Sequence, residues 1–174
     1  MKPLRYYAAS SLDGFIAQED GSFDAFLWDD ALVADFFASF EEFDTVLMGR
    51  KTYEVGLAEG KTSPYPTMRQ FVFSRSMERS PDEAVTLVSE GAVDLVRDLK
   101  AGEGKTIWLC GGGNLASQLL AAGLIDELVV KLNPIVLGTG VPLFGEVREP
   151  PKLELRETKT YDSGILQLSY RISS

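Results

Sequence analysis

Apolar and polar residues alternate along the chain in two patterns, one typical of strands and the other typical of helices. Short apolar runs between turn-forming residues predict strands over residues 4–9, 15–17, 45–48, 70–74, 84–88 and 106–110. Between several of these runs, apolar residues recur every three or four positions, as in helices with one buried face. The first such helix is predicted to start at Asp29 or Asp30, and its apolar face carries Leu32, Val33, Phe36, Phe37, Phe40 and Phe43.

Three further helices follow from the same spacing. The second is predicted over residues 50–55 and closed by Gly56, with a polar, proline-containing loop at 58–67. The third covers residues 92–100, and the fourth is terminated by Gly123 and buries Leu115, Ala116, Leu119 and Leu120. Because strands and helices alternate through the first two thirds of the chain, we expect a mainly parallel sheet with helices on both faces.

The last third is extended in character. Residues 125–136, 152–161 and 165–172 are predicted strands, and the last two are joined by the tight turn Asp162-Ser163-Gly164. They should form an antiparallel hairpin at the edge of the sheet. Residues 1–174, 45% of them apolar, are enough for a single domain with one sizeable core.

Composition narrows the possible functions. The formal net charge is -9 and no segment collects enough cations to follow a nucleic acid backbone, so we expect no nucleic acid partner. No apolar stretch approaches the ~18 residues of a membrane span, so we expect no membrane partner. Cys110 is the single cysteine, which rules out an intrachain disulfide and a Cys-based zinc site and favours the cytoplasm.

The chain contains no histidine. This excludes Ser–His and Cys–His nucleophilic pairs, histidine bases and His-ligated metals. Hydride transfer from a bound cofactor is compatible with that composition, because the cofactor carries the reactive group.

Three of the predicted strands end in residues that could bind a ligand. At each of these ends a glycine or a serine is followed by a cation or by the start of a helix. Gly49 is followed by Arg50, Lys51 and Thr52, and a helix N-terminus with a guanidinium suits a phosphate; the alternative is a pair of ordinary surface cations. Gly111, Gly112 and Gly113 are either a tight connection or a bare backbone for a ligand. Ser74 and Arg75 suit a phosphate monoester such as the 2′-phosphate that distinguishes NADP from NAD.

These segments resemble the dihydrofolate reductase superfamily when they are taken together. The motifs are Ser11-Leu12-Asp13-Gly14-Phe15-Ile16-Ala17, Val46-Leu47-Met48-Gly49-Arg50-Lys51-Thr52, Val72-Phe73-Ser74-Arg75 and Gly111-Gly112-Gly113-Asn114-Leu115. Their order is that of the superfamily, and they cover nearly the whole chain. The most similar branch is the reductase domain of the bifunctional riboflavin-biosynthesis deaminase/reductase.

The resemblance implies an eight-stranded, mainly parallel sheet and an NADPH site. It assigns the cofactor phosphates to Gly49, Arg50, Lys51 and Thr52, and the 2′-phosphate to Ser74 and Arg75. It assigns the pyrophosphate and nicotinamide side to Gly111, Gly112, Gly113, Asn114 and Leu115, and the carboxamide to Ala9.

The residues expected to contact the substrate differ from those of the riboflavin branch and from those of folate reductases. Cys110 stands where the riboflavin branch usually has a glutamate, and Tyr7 stands where that branch tends to have a lysine. Folate reductases carry an acidic residue five positions after a tryptophan, and counting from Trp28 reaches Val33. We therefore expect an intact cofactor half and an altered substrate half.

Several side chains are candidates for that half. Asp13 can protonate or orient a substrate if burial raises its pKa, or it can accept backbone N–H bonds in an Asp-Gly turn. Tyr7 can donate to a substrate or be core, and Trp28 can wall the pocket or anchor its loop. With no adjacent cation in sequence, Cys110 is expected to be a buried, inert thiol.

The leading hypothesis is an NADPH-dependent reductase of a small, heterocyclic substrate with a C=N or C=O bond. The alternatives are the reductase acting on 5-amino-6-(5-phosphoribosylamino)uracil, a dihydrofolate reductase-like activity, and a non-catalytic nucleotide-binding module. A homodimer is also expected, with residues 125–137 and the edge hairpin as its interface.

Overall fold

The computed structural model describes residues 1–173, and in this part of the chain ten strands and four helices alternate much as the apolar pattern predicts. The strands are β1 Leu4–Ser10, β2 Phe15–Ala17, β3 Phe43–Gly49, β4 Arg69–Phe73, β5 Val85–Val88, β6 Thr106–Gly111, β7 Glu127–Leu132, β8 Val141–Pro142, β9 Lys152–Thr160 and β10 Leu166–Ser173. The helices are α1 Asp30–Ala38, α2 Arg50–Ala58, α3 Ala92–Ala101 and α4 Gly113–Ala121.

Eight of the strands form one sheet in the order β5-β4-β3-β6-β1-β7-β10-β9. All neighbouring pairs from β5 to β7 are parallel, and β10 is antiparallel to both β7 and β9. The predicted fold class, including the C-terminal antiparallel hairpin at the edge, is confirmed. Because β1, β3, β4 and β6 run in one direction, their carboxyl ends meet at one edge, where ligands bind in such sheets.

Helices cover both faces of the sheet. On one face, α3 and α4 bury Val96, Leu99, Leu115 and Leu119 against β1, β6 and β7. On the other face, Tyr53 of α2 is buried, and Phe36 of α1 packs its ring edge against Trp108 of β6. Within residues 1–173, none of the helices has the length and apolar character that a membrane crossing requires.

The termini of the helices test the capping predictions. The Asp29 carboxylate accepts the backbone N–H groups of Ala31 and Leu32, so it caps α1 as predicted. Gly123 follows α4 with φ +66°, which is the left-handed conformation expected of a terminating glycine.

Two predicted helix ends are wrong. The first helix does not reach Phe43: α1 ends at Ala38, a 3₁₀ turn covers Ser39–Glu42, and Phe43 begins β3. Phe43 is buried and pairs with Thr106, so sheet pairing prevails over the helical spacing. Gly56 does not close α2, which continues to Ala58; a Cβ on Gly56 would lie 3.4 Å from the Lys61 carbonyl oxygen of the packed loop.

The predicted strand over residues 125–136 is also too long, because β7 ends at Leu132. Asn133 follows it, and its side chain accepts from the Leu27 backbone N–H and donates to the Lys131 carbonyl. These contacts turn the chain out of the sheet and tie it to the loop before α1.

Candidate active site

Two helices begin next to each other at the carboxyl edge of the sheet. α2 starts at Arg50 directly after β3, and α4 starts at Gly113 directly after β6. Their N-cap residues, Gly49 and Gly112, provide no side-chain cap, so the first-turn N–H groups are not satisfied by a capping side chain. A Cβ on Gly49 would lie 3.3 Å from the Gly112 nitrogen, so the two helix starts are nearly in contact. Positive dipole ends are thus concentrated at one place.

The three consecutive glycines serve different purposes. A Cβ on Gly113 would lie 2.2 Å from the Pro142 carbonyl oxygen, so this glycine permits close packing of β8 and the loop that follows it. Gly111 has φ +146°, a conformation that other residues rarely adopt. Gly112 has φ -101°, and a Cβ there would meet nothing closer than the Thr52 hydroxyl at 3.7 Å. A methyl group at position 112 would therefore make only ordinary contacts with the surrounding protein, and the bare backbone leaves room for a ligand.

The rest of the glycine motif contributes mainly backbone. Leu115 is buried in the core, so only its N–H is available at the start of α4. The Asn114 side chain is exposed, and its carbonyl oxygen accepts a hydrogen bond from Gln118.

The cations predicted at the first junction lie at the start of α2. Arg50 donates to the Ser76 hydroxyl at 3.2 Å, and its Nε lies 3.8 Å from a Glu54 oxygen. Lys51 is exposed, and Thr52 places its hydroxyl beside Gly111 and Gly112. The contact between Arg50 and Ser76 links the first junction to the end of β4.

At the end of β4, Ser74 is buried and Arg75 is exposed. The Ser74 hydroxyl oxygen accepts the backbone N–H groups of Ser76 and Met77, at 3.3 and 3.0 Å, which fixes this turn. Within residues 1–173, the Arg75 guanidinium takes part in none of the hydrogen bonds or ion pairs.

The Asp13 carboxylate is a hydrogen-bond acceptor for nearby backbone N–H groups, which was one of the two alternatives for this residue. Its carboxylate accepts hydrogen bonds from the Ser11 hydroxyl and from the backbone N–H groups of Leu137 and Gly138, at 2.7, 3.1 and 2.7 Å. The carboxyl group is exposed, and the Ser11 hydroxyl and these N–H groups lower its pKa. The raised pKa on which proton donation by Asp13 depends is thus not observed.

The other substrate-side candidates differ in their exposure and in their hydrogen-bond partners. Trp28 is 75% exposed, in the loop before α1. Tyr7 is buried and donates its hydroxyl proton to the Gln167 side chain at 2.8 Å, and burial raises its pKa. Val33 brings no carboxylate, and Asp35 accepts from Lys159 and from the Tyr161 hydroxyl. These two donors lower the pKa of Asp35.

An open groove of about 800 Å³ runs along the α1 side of β1, β7 and β10. It extends from Arg5 and Glu127 to Tyr7, Asp35 and Gln167. Two of the substrate-side residues, Tyr7 and Asp35, therefore line this groove.

Comparison with known proteins decides the family. The family model described as the RibD C-terminal domain matches residues 3–167. The chain belongs to this family. The uncharacterized protein YwjB of Bacillus subtilis is 38% identical over 168 residues, which cover 94% of each chain.

Solved structures agree with this RibD C-terminal domain assignment. A putative riboflavin biosynthesis protein from Shewanella sp. PV-4 is 31% identical with a TM-score of 0.85, and the match covers 99% of both chains. A dihydrofolate reductase from Enterococcus faecalis, 18% identical, has a TM-score of 0.73 over 99% of this chain and 97% of its own. The fold is therefore dihydrofolate reductase-like.

This RibD C-terminal domain holds one charged side chain, beside Tyr7, that the sequence interpretation missed. Lys131 of β7 places its ammonium 3.9 Å from the centroid of the Phe36 ring and 4.8 Å from that of Tyr7. Thus a cation lies against Tyr7, the position at which the resemblance leads us to expect a lysine. A lysine inside the apolar run Leu128-Val129-Val130-Lys131-Leu132 was the available signal.

Cys110 is the neighbour of that lysine on β6. Burial raises the pKa of its thiol to about 11, against smaller opposing effects of Tyr65 and Lys131. The Tyr65 hydroxyl lies 3.8 Å from the sulfur. The thiol therefore stays protonated at neutral pH, as expected of an inert cysteine. Among the described residues, Cys, Asp and Glu side chains form no cluster of three or more suited to a metal ion.

Proposed function

We propose that this RibD C-terminal domain is an NADPH-dependent reductase that acts on a C=N or C=O bond of a small heterocyclic substrate. The observation that carries the proposal is the meeting of two uncapped helix N-termini at Gly49 and Gly112, where a bare backbone leaves space for a ligand. Such a place attracts phosphate groups. The family match, and the NADP(H) named for the Enterococcus faecalis dihydrofolate reductase of the same fold, support a nicotinamide cofactor.

Each candidate residue has a part in this proposal. Gly49, Arg50, Lys51 and Thr52 would hold the cofactor phosphates, and Ser74 with Arg75 would hold the 2′-phosphate. The backbone from Gly111 to Leu115 would surround the pyrophosphate and nicotinamide side, with Ala9 beside the carboxamide. When bound, NADPH supplies the hydride that reduces the substrate.

The substrate would lie on the α1 side of β1 and β7, with Tyr7 in its floor and Trp28 at its outer margin. Asp13 would orient the substrate or its own loop in the ionised form, because hydrogen bonds lower its pKa. Cytoplasmic location is part of the same proposal, since NADPH reductases work where the reduced cofactor is supplied.

Cofactor titration tests the proposal directly. Following NADPH fluorescence, we expect binding with a Kd below about 1 mM, and weaker binding of NADH. Gly112→Ala should weaken NADPH binding about tenfold or more while thermal unfolding stays unchanged, because the new methyl group occupies ligand space rather than protein space. Gly102→Ala is the matched control, since Gly102 also has a negative φ and lies at the end of α3.

Arg75→Ala separates the two cofactors. Loss of a charge-assisted contact with the 2′-phosphate should weaken NADPH binding by about 10- to 100-fold and leave NADH binding unchanged. Arg97→Ala, which removes an exposed cation of α3, is its control. A wild-type protein that binds no NADPH at about 1 mM contradicts the proposal.

The family match favours a second candidate, the reductase acting on 5-amino-6-(5-phosphoribosylamino)uracil. Complementation of a riboflavin auxotroph that lacks this reductase tests it, and absence of growth with soluble protein present counts against it. Turnover of dihydrofolate would favour a dihydrofolate reductase-like activity instead. Tight NADPH binding without turnover of pterins, pyrimidines or quinones would favour a non-catalytic nucleotide-binding module.

A further inference from the structure

Lys131 lies in the sheet next to Ala9, the residue that the proposal places beside the nicotinamide. In the sheet it pairs with Ala9 of β1 on one side and with Gln167 of β10 on the other. Its side chain is on the face that α1 covers, where it meets the Phe36 and Tyr7 rings. Since Ala9 is assigned to the nicotinamide carboxamide, Lys131 is one strand away from it.

The Lys131 ammonium differs from the other shielded lysines of the protein. Lys2 is buried and bonded to Asp44, and Lys100 is buried and bonded to Asp126 and to the Leu124 carbonyl. The hydrogen bonds and ion pairs formed within residues 1–173 include none at the Lys131 ammonium, which contacts aromatic faces. A cation without a carboxylate in such a place is costly and is available to a ligand.

Among the titratable groups around it, Lys131 is the one whose pKa lies near neutral pH. Burial lowers its pKa to about 8. The titratable or polar groups carried by the elements around it are Tyr7 of β1, Cys110 of β6, Asp35 of α1, Gln167 of β10 and Tyr65 of the loop after α2. Asp35 is engaged by Lys159 and Tyr161, and burial raises the pKa values of Tyr7, Tyr65 and Cys110.

We propose that Lys131 binds the acceptor heteroatom of a planar heterocyclic substrate and protonates that atom. This inference rests on the proposed function. Reduction of a C=N or C=O bond forms a new C–H bond, and the π electron pair moves to nitrogen or oxygen. That atom then takes a proton from the Lys131 ammonium, which becomes a neutral amine and regains a proton from water.

The substrate class follows from the same geometry. An ammonium that has no carboxylate partner suits a ring that carries an anionic or carbonyl oxygen, as oxidised pyrimidines and pterins do. Lys131 therefore selects the acceptor end of the substrate, while the cofactor half is independent of it.

The first experiment needs neither cofactor nor turnover. With ¹³C-labelled lysine, one NMR signal should titrate near pH 8 and disappear in Lys131→Met. Orotate, a planar pyrimidine carboxylate, should shift that signal when it is added to the wild type. A Lys131 signal that titrates with the exposed lysines, or that does not move with orotate at about 10 mM, overturns the inference.

The second experiment follows hydride transfer to pterin and pyrimidine acceptors by loss of NADPH absorbance. In the wild type the rate should fall about tenfold per pH unit above pH 8, because the acid form is lost. Lys131→Met should lower kcat about 100-fold with NADPH affinity unchanged, and Lys131→Arg should keep orotate binding without the fall at pH 8. Lys61→Met, at an exposed lysine, is the control.

These outcomes separate the two proposals. Failure of the wild type to bind NADPH removes the reductase proposal, while the NMR experiment still decides whether Lys131 binds an anionic ring. A Lys131→Met variant with the pH profile and kcat of the wild type overturns the role of Lys131 and leaves the reductase intact.

Discussion

Single side chains show how this protein separates stability from function. Lys2 and Lys100 are buried and bonded to carboxylates: Lys2 joins the amino ends of β1 and β3, and Lys100 joins the end of α3 to the amino end of β7. Lys131 is the exception, because its cation lies against the Phe36 ring without a carboxylate. Asp13 behaves in the opposite way, since its carboxylate accepts hydrogen bonds from the Ser11 hydroxyl and from the Gly138 N–H of a distant loop. Residues that already have partners stabilise the fold, whereas Lys131 keeps its charge for a ligand.

Replacing Lys131 should therefore stabilise the protein. The pKa of Lys131 is lowered on folding, so the protonated side chain opposes folding below about pH 8, and this cost fades as the pH rises toward the pKa of the unfolded chain. We expect Lys131→Met to raise the free energy of unfolding by about 1–3 kcal/mol at pH 7 and by less at pH 9.5. Urea unfolding at the two pH values measures this, with Lys61→Met as control. A variant less stable than the wild type at pH 7 would count against the unpaired cation.

At the scale of elements, α2 and α4 start alike and are held differently. Both begin after a glycine with no side-chain cap. The first turn of α4 is in addition clamped by the loop that follows β8, since the Gly145 N–H donates to the Gly113 carbonyl at 3.3 Å and the Tyr6 hydroxyl donates to the Leu143 carbonyl at 2.8 Å. The position of α4 thus depends on close packing at Gly113.

Gly113→Ala should be destabilising where Gly112→Ala is not. Its methyl group would lie 2.2 Å from the Pro142 carbonyl oxygen, a backbone atom that cannot move aside without displacing the loop. We expect a loss of about 1–3 kcal/mol in the free energy of unfolding, measured with urea. Equal stability of the two variants would mean that the loop after β8 is not clamped on α4.

At the scale of the whole molecule, the interior strand β7 and the edge strand β9 differ in exposure. β7 lies between β1 and β10, and Ile125, Leu128, Val129 and Val130 are buried. The apolar side chains of this strand therefore belong to the core, whereas Val136, just beyond it, is 69% exposed. An interface formed by residues 125–137 and the edge hairpin stays a prediction. The edge strand β9 is exposed along all nine of its residues, with Leu153 and Leu155 about half exposed.

We therefore predict a homodimer that uses the edge hairpin. Light scattering after size exclusion should give about twice the 19.1 kDa of one chain, because an exposed edge strand with apolar side chains favours pairing. Leu155→Lys should give a monomer with unchanged NADPH affinity, since β9 and the proposed phosphate site lie at opposite sides of the sheet. Val147→Lys changes another exposed apolar side chain and should leave the mass unchanged. A monomeric wild type contradicts the prediction.

The sequence by itself determined the order of the four helices and of the strands other than β8, the Asp29 cap, the Gly123 stop and the turn at Gly164, because these depend on residues adjacent along the chain. It also predicted a ligand site at the glycine junctions, which stays a prediction. Only the tertiary structure decided that Gly113 is needed for packing while Gly112 is bare, that α1 stops before Phe43, and that Lys131 meets Phe36. Each of these depends on contacts between residues far apart in sequence, which local spacing does not encode.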